Sequence, residues 1–525
     1  MLRRWPDGTC SSIDTPELMM GSVDERATPS STKKWILNAF SLSGLGHVAA
    51  GLWKHPDNRA QDFTDIHYWI ELAKILDGNF HCLFLADMLG IYDVYKGPGN
   101  IDPVLPGAAQ FPLSDPSLPI AAMAAVTKSL SFGITASTTY EHPYLLARRY
   151  STLDHLTDGR VAWNIVTSYL ESAARNSGLD TQVQHDERYE IAQEHVEVVY
   201  KLLEGSWRDD AVVRNLKTKE FTAPGRVRRI DHEGKYFKVA GPHGIAPSRQ
   251  RTPFIFQAGA SKAGKPFAVR NAEAMFIPGM DVETVRKTGE DIRNMAREQG
   301  RDPANIKLIV GMLVIVDETD ELAQAKYNDY LSYADLEGSL ALFAGWTGAD
   351  LGPYDDDDEF EYSGPGAIQS VVSAWKKVMP GSQDIRWTKK RVATELALGG
   401  PHPKAIGSAT TVADILQSWV DEAGVDGFNI SYAICPGDFE AVVKYLIPEL
   451  KRRDVFWDAQ AAEGKTMREN YLADGKGPRL RSDHFGARFK WPAPETKAYP
   501  EKTNPEGTRT AHEEWSTQSR ERDCL

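Results

Sequence analysis

Cysteine is scarce. Cys10, Cys82, Cys435 and Cys524 are scattered through 525 residues with no C-x-x-C pair, too sparse for a disulfide scaffold or a structural zinc site. Long apolar runs are missing too. Ile120–Val126 and Leu340–Trp346 fall well short of the ~20 residues a membrane helix needs. Net charge is −13 and no Lys/Arg-rich tract stands out, so the chain offers no basic face to nucleic acid. Near the start, Met1-Leu2-Arg3-Arg4 soon meets Asp7, Asp14, Glu17, Asp24 and Glu25 without an apolar h-region, which argues against a transit or signal peptide. The final Asp523-Cys524-Leu525 is neither a prenylation box nor a peroxisomal address. A cytoplasmic, reducing setting is the expectation. Familiar catalytic fingerprints are also absent: no His-Glu-x-x-His for a metal, no Gly-x-Ser-x-Gly elbow, and no Gly-x-Gly-x-x-Gly opening a helix after the first strand.

What is present is an ordinary globular composition, 42% hydrophobic and 25% charged, with enough length to bury a large core. Short apolar runs alternate with amphipathic stretches. Strands are expected at Trp35–Phe40, His81–Ala86, Ser131–Ser137, Arg160–Val166, Phe254–Ala258, Ala274–Ile277, Lys307–Val316 and Gly427–Ser431. Helices are expected at Thr64–Leu76, Leu118–Thr127, Pro143–Leu156, His185–Leu203, Lys262–Asn271, Val282–Gln299, Val412–Ala423 and Asp438–Leu450. Eight βα units with buried strands imply an α/β fold, a (β/α)8 TIM barrel with long insertions, with an open doubly wound sheet as the alternative. Residues 34–490 would form that single domain. Residues 1–33 and 491–525, rich in Pro, Ser, Thr, Glu and Lys, read as poorly ordered arms. Three excursions, 88–117, 209–252 and 330–382, interrupt the rhythm. The second and third are long enough to close over the barrel mouth. Gly234–Val239 looks like half of a hairpin. The acidic run Asp355–Glu359 reads as a solvated loop tip rather than a cation site, since consecutive carboxylates lack the spacing of a calcium loop.

A barrel enzyme works at the C-terminal ends of its strands, which selects the polar residues to inspect. Ser43–His47 and Trp53–Pro56 follow the first strand, Asp87 the second and Thr138 the third. Asn164 lies in the fourth, which runs out through Ser168. Asp87 either points into the mouth or caps its own loop. The fifth ends at Gln257–Ser261, where small residues let backbone approach a ligand. Ser261 is a natural cap for a helix whose free N–H groups would hold a phosphate, although such turns are often Gly/Ser-rich for geometry alone. His185 and Tyr189, four apart, share a helix face and either reach the mouth or pack on the scaffold. Phe343, Trp346 and Tyr354 either wall the mouth or pack the third excursion onto the barrel. Pattern alone therefore reaches a barrel enzyme with an anionic ligand.

The same residues carry a resemblance. Gly46-His47 through Trp53-Lys54-His55-Pro56, Leu83–Asp87, Ala136–Thr139, Leu145–Arg148 and Thr152–Leu156 match one family in order. So do Gly159-Arg160, Trp163–Ser168, His185–Tyr189, Gln257–Ser261 and Gly424–Phe428. From about residue 34 to 490 the chain resembles the bacterial luciferase-like flavin-dependent monooxygenases. Its group there holds nitrilotriacetate monooxygenase component A and the dibenzothiophene-sulfone, dimethyl-sulfide and long-chain alkane monooxygenases. The resemblance implies FMN, used as FMNH2, with O2 as co-substrate. A C4a-(hydro)peroxyflavin would oxygenate a C–S, C–N or alkyl carbon centre of a small organic molecule, and a separate NAD(P)H-dependent flavin reductase would supply FMNH2. It implies further that Asp87, Thr138, Asn164, His185, Tyr189, Ala260 and Ser261 bind the cofactor. His47 and Ser168 would serve catalysis, and His47, Trp53 and His55 would face the substrate. Some relatives carry histidine at the position of Ser168, which sets this chain apart. A homodimer or homotetramer is implied as well. A deazaflavin-dependent oxidoreductase and a non-catalytic flavin-binding barrel are the alternatives.

Overall fold

Runs of Val, Ile, Leu and Phe buried on both faces suit a parallel sheet covered by helices, and the chain pairs them that way. The structure, a computed structural model, describes residues 33–259, 261–358, 372–376 and 386–491. Both arms, apart from Lys33 and Trp491, lie outside these residues, as does Ala260. Eight parallel strands run in order: β1 (Ile36–Leu42), β2 (Cys82–Ala86), β3 (Ser131–Ser137), β4 (Val161–Val166), β5 (Phe254–Gln257), β6 (Ala274–Ile277), β7 (Lys307–Asp317) and β8 (Gly427–Ser431). Each pairs with the next, and β8 returns to β1 with Ile36 opposite Gly427. The sheet is closed, which removes its edges and sets a funnel of eight strand ends at one pole. Every strand expected from the sequence is present within a few residues.

Aromatic rings fill the barrel. Phe40, Phe84, Phe254 and Phe256 project inward, with Phe84 and Phe256 centroids 5.0 Å apart. The N-terminal end is plugged by the helix Met467–Leu472. Its Tyr471 ring lies 4.9 Å from Phe254 and its hydroxyl donates to Asn38. In the same plug the buried Arg468 and Glu273 pair through Nε–Oε1 at 2.5 Å and Nη2–Oε2 at 2.8 Å.

Two elements depart from the sequence reading. A ninth strand, Lys404–Ser408, pairs with Leu313–Asp317, the half of β7 that outruns its barrel neighbours. Two helices also follow β7: Asp320–Tyr333, which ends inside the third excursion, and Leu336–Thr347, which lies within it. The second of these is buried on nearly every side, so its sequence lacks the one-faced period that marks a surface helix.

The excursions also divide by position. Residues 88–117 follow β2, and the described residues of 330–382 lie between β7 and β8 beyond the strand ends, so both reach the mouth. Residues 209–252 lead from a helix into the start of β5 and therefore lie at the plugged pole. There Arg249 bonds Asp158 at 2.9 Å and Gln250 bonds Asp154. The expectation that 209–252 closes over the mouth is thus corrected: an αβ connection ends where strands begin. That segment does form the small hairpin, His232–Glu233 against Lys238–Val239. Asp355–Asp358 of the acidic run are exposed, as a loop tip should be, and Glu359 lies outside the described residues.

Candidate active site

Among the described residues, two adjoining cavities of about 660 Å³ and 290 Å³ open at the mouth and share Asp87, Met88 and Tyr169 in their walls. The larger lies over β1, β2, β6 and β7, the smaller over β4 and β5.

In the larger cavity the loop after β1 must fold back tightly. Gly46 permits it: at φ +64°, a Cβ there would stand 2.0 Å from the Ala108 carbonyl of the first excursion. This turn brings His47 inward, edge-on to Phe40 with centroids 4.3 Å apart, and the Gln110 amide donates to the His47 carbonyl. Across the cavity stands His402, whose ring packs near Phe40 and Phe276. Burial drives both imidazoles toward the neutral form, His47 to about 3, with repulsion from His402 adding to it, and His402 to about 4. Nδ1 of each lacks a hydrogen-bond partner. A hydroxyl-centred network ties the wall together. Trp346 Nε1 donates to Tyr92 Oη at 2.8 Å, the Tyr92 and Tyr169 hydroxyls lie 2.8 Å apart, and Gln110 Oε1 is 3.2 Å from Tyr92 Oη. The first excursion, the third and the segment after β4 are thereby fixed to one another.

Asp87 follows β2 directly and faces both cavities. Burial raises its carboxyl to about 7, and the neighbouring charge of Asp115 pushes the same way. The group therefore stands near half-protonation at neutral pH, the condition a proton-handling residue needs.

The smaller cavity is lined by Ser168, His185, Arg188, Tyr189 and Gln257 among others. Ser168 takes a left-handed backbone at φ +57°, and its hydroxyl bonds Ser137 Oγ at 2.9 Å. Arg188, which the sequence reading passed over, is only 7% exposed, and its Nε and Nη1 have no partner. A buried guanidinium with unused donors is costly unless something anionic meets it. Beside it the Tyr189 hydroxyl and Ser261 Oγ converge over Gly264, where a Cβ would meet them at 2.7 and 2.9 Å. Ser261 Oγ accepts the Gly264 N–H at 3.0 Å in the turn ahead of the helix Gly264–Asn271, whose N-cap is Ala263, so the expected capping position lies two residues on. Gln257 Oε1 and Asn164 Oδ1 are further buried acceptors without donors.

Among the residues marked from the sequence, His47, Asp87, Ser168, His185 and Tyr189 line the cavities, and Ser261 stands beside the smaller one. Asn164, Thr138, Trp53 and His55 do not reach either wall. Thr138 is fully buried, its hydroxyl donating to the Val166 carbonyl at 3.3 Å. Trp53 is 42% exposed, with Nε1 on the Pro106 carbonyl. His55 bonds Asp329 at 3.1 Å and packs between Tyr330 and Tyr333. The physical reason is shared by the last two: after Gly51 the chain turns outward into Leu52–Lys54 and meets the helix Asp320–Tyr333 instead of the mouth. Asn164 points into the barrel and donates to Thr135 Oγ1 at 2.9 Å. Of the aromatic trio, Trp346 reaches the larger cavity, whereas Phe343 and Tyr354 pack within the third excursion's own core. Arg188, Gln110, Tyr92 and His402 are the residues missed. Only Arg188 left a trace in the sequence, as a charge three positions from His185 on one helix face.

Comparison with known proteins places this geometry. The family described as luciferase-like monooxygenase matches residues 76–427. The chain is 46% identical to the dimethyl-sulfide monooxygenase of Hyphomicrobium sulfonivorans, over 87% of this chain and 94% of that protein. It is 45% identical to the long-chain alkane monooxygenase of Geobacillus thermodenitrificans, over 87% and 98%. The crystal structure of DmoA from Hyphomicrobium sulfonivorans superposes with a TM-score of 0.83, covering 90% of this chain and 100% of that one.

Proposed function

Because the chain belongs to the luciferase-like monooxygenase family, we propose that it is the oxygenating half of a two-component system. It takes FMNH2 from a separate NAD(P)H-dependent flavin reductase and inserts one atom of O2 into a small organic molecule. That it is a monooxygenase follows from its relatives. A C–S or alkyl carbon centre is the favoured target, since the two relatives above are a dimethyl-sulfide and a long-chain alkane monooxygenase.

The observation that carries the FMN reading is Arg188. Its buried, unpaired guanidinium, with Tyr189 and Ser261 beside it, fits a phosphate, and the unsatisfied acceptor of Gln257 in the same cavity fits an N–H group of a flavin. Arg188, Tyr189, Ser261 and His185 would hold the phosphate side, and Asp87 the ring side. When bound, the reduced flavin supplies two electrons and activates O2. The protein's part is to orient and to keep the site dry. The first and third excursions wall the mouth, the tyrosine–indole network fixes them, and neutral His47 and His402 add no positive charge to the substrate space. Asp87, near half-protonation at neutral pH, can hold or release a proton at its carboxyl within reach of both cavities.

Replacing Arg188 with Met should weaken FMN binding about ten- to hundredfold, the worth of a charge-assisted hydrogen bond or two, and leave riboflavin, which lacks the phosphate, nearly unaffected. Fluorescence titration reads both. Equal losses for the two flavins, or none, would show that Arg188 does not meet the phosphate. The oxygenase step is read separately by supplying photoreduced FMN and isotope-labelled O2 with dimethyl sulfide or an alkane. Label in the product supports the reading, and hydrogen peroxide alone with both sinks it.

A further inference from the structure

Charge divides the two cavities. Among the described residues lining the smaller one is Arg188, with its unused donors. Among those lining the larger one there is no lysine or arginine, while two carboxylates, Asp87 and Asp281, stand in its wall. Asp281 is committed, its oxygens accepting the Thr284 N–H at 2.9 Å and hydroxyl at 2.7 Å as a helix cap. The remaining surface is mostly apolar, built from Phe40, Val48, Phe276, Met88, Met280 and Trp346. Placing an anion there would strip its water with no cation to replace it.

Trp346 closes the wall formed by the third excursion. Its indole is held on two sides. Nε1 bonds Tyr92, and its outer edge abuts Gly400, where a Cβ would stand 2.9 Å from Cη2. Gly345 beside it leaves no spare room, since a Cβ there would fall 1.8 Å from the Tyr92 ring. The wall is therefore rigid and bulky rather than yielding.

We infer that the larger cavity is a neutral, length-limited subsite: it takes an uncharged molecule with an apolar, extended body, excludes carboxylates, and has its length limit set by the Trp346 indole. The inference names the substrate class of the monooxygenase site proposed above and so rests on that reading. Its binding test, however, needs no flavin.

The probes are straight-chain 1-alkanols of increasing length and the fatty acids of matched length, titrated calorimetrically into the full-length protein without flavin at neutral pH. The alkanols should bind with affinity rising by roughly three- to fourfold per methylene, as burial of each CH2 group predicts, up to a length beyond which it stops rising. The matched acids should bind at least tenfold more weakly. Trp346→Ala should move the break to longer chains, whereas Trp346→Phe, which keeps most of the ring and loses the hydrogen bond, should leave it nearly in place. Acids binding as tightly as alkanols would overturn the neutral assignment. An unchanged break in the alanine variant, with cooperative thermal unfolding retained, would overturn the role of Trp346. Loss of FMN binding by the native chain with the alkanol series intact would sink the flavin reading and leave this one standing.

Discussion

Asp87 is the residue whose chemistry depends most on where it lies. In the sequence it is a carboxylate after an apolar run. In the fold, burial and Asp115 raise it to about 7. An acid with a raised folded-state pKa binds a proton that the unfolded chain has already released. Stability therefore falls as pH climbs from about 4, the unfolded value, to about 7, and is level above that. Asp87→Asn removes this cost. The variant's gain in melting temperature over the native protein should be larger at about pH 8 than at about pH 5. An equal offset at both would mean that the carboxyl titrates as an exposed one. Glu141 and Arg149 act on the same group with opposite signs, so replacing either should move the window in opposite directions. The neutral imidazoles of His47 and His402 follow from the same rule of desolvation, and no sequence motif reports it.

At the scale of the element, the plug helix Met467–Leu472 shows how a short segment can matter more than its length suggests. Arg468 is fully buried, bonds both carboxylate oxygens of Glu273, and donates to the carbonyls of Thr252, Pro253 and Pro478. Glu273 in turn accepts the Ile255 N–H, joining the plug to β5 at the base of the barrel. Glu273→Gln leaves the guanidinium buried without its counter-charge, and about 3–5 kcal/mol of stability should be lost. Urea unfolding measures this as a lowered midpoint with an unchanged slope. A cost below about 1 kcal/mol would place the pair in the class of exposed ion pairs, which its burial contradicts. The mouth at the opposite pole should keep its FMN affinity in this variant, since the aromatic core of the barrel separates the two ends.

The two poles of the barrel are built differently, packed at the base and hollowed at the mouth. The smaller cavity combines the unsatisfied cation of Arg188 with the orphan acceptor of Gln257, desolvation costs that the FMN proposed above would relieve. FMN at a hundredfold excess over its Kd should add about 2.7 kcal/mol to the unfolding free energy, read as a rise in melting temperature. Riboflavin at the same concentration should add less, because it lacks the anion. No rise with FMN, at a concentration where fluorescence shows the site filled, would mean that the flavin binds the unfolded chain as well.

The eight strands were legible because burial on both faces writes itself into short runs such as Phe132–Ala136 and Leu308–Val316, and parallel pairing then leaves few arrangements. Pro143–Leu156 was legible to the residue, with proline at its first turn and one apolar stripe. His47, Asp87, Ser168, His185, Tyr189 and Ser261 could be marked because strand ends point to the mouth and because their surrounding motifs resemble a family. Helix Leu336–Thr347 could not be read, since burial all round erases its period, nor could the strand Lys404–Ser408, whose partner is the far end of β7. Trp53 and His55 sit in the same matching segment as His47, yet the turn at Gly51 sends them away from the mouth. Whether a polar residue lines a cavity depends on which side of its strand it faces and on what other segments pack there. His402 meets His47, and Trp346 meets Tyr92, across some 250 residues or more of chain. Local sequence governs which elements form, because periodicity and capping act within a few residues. The pKa of Asp87, the neutrality of the histidines and the division of charge between the cavities arise only when distant segments exclude water together.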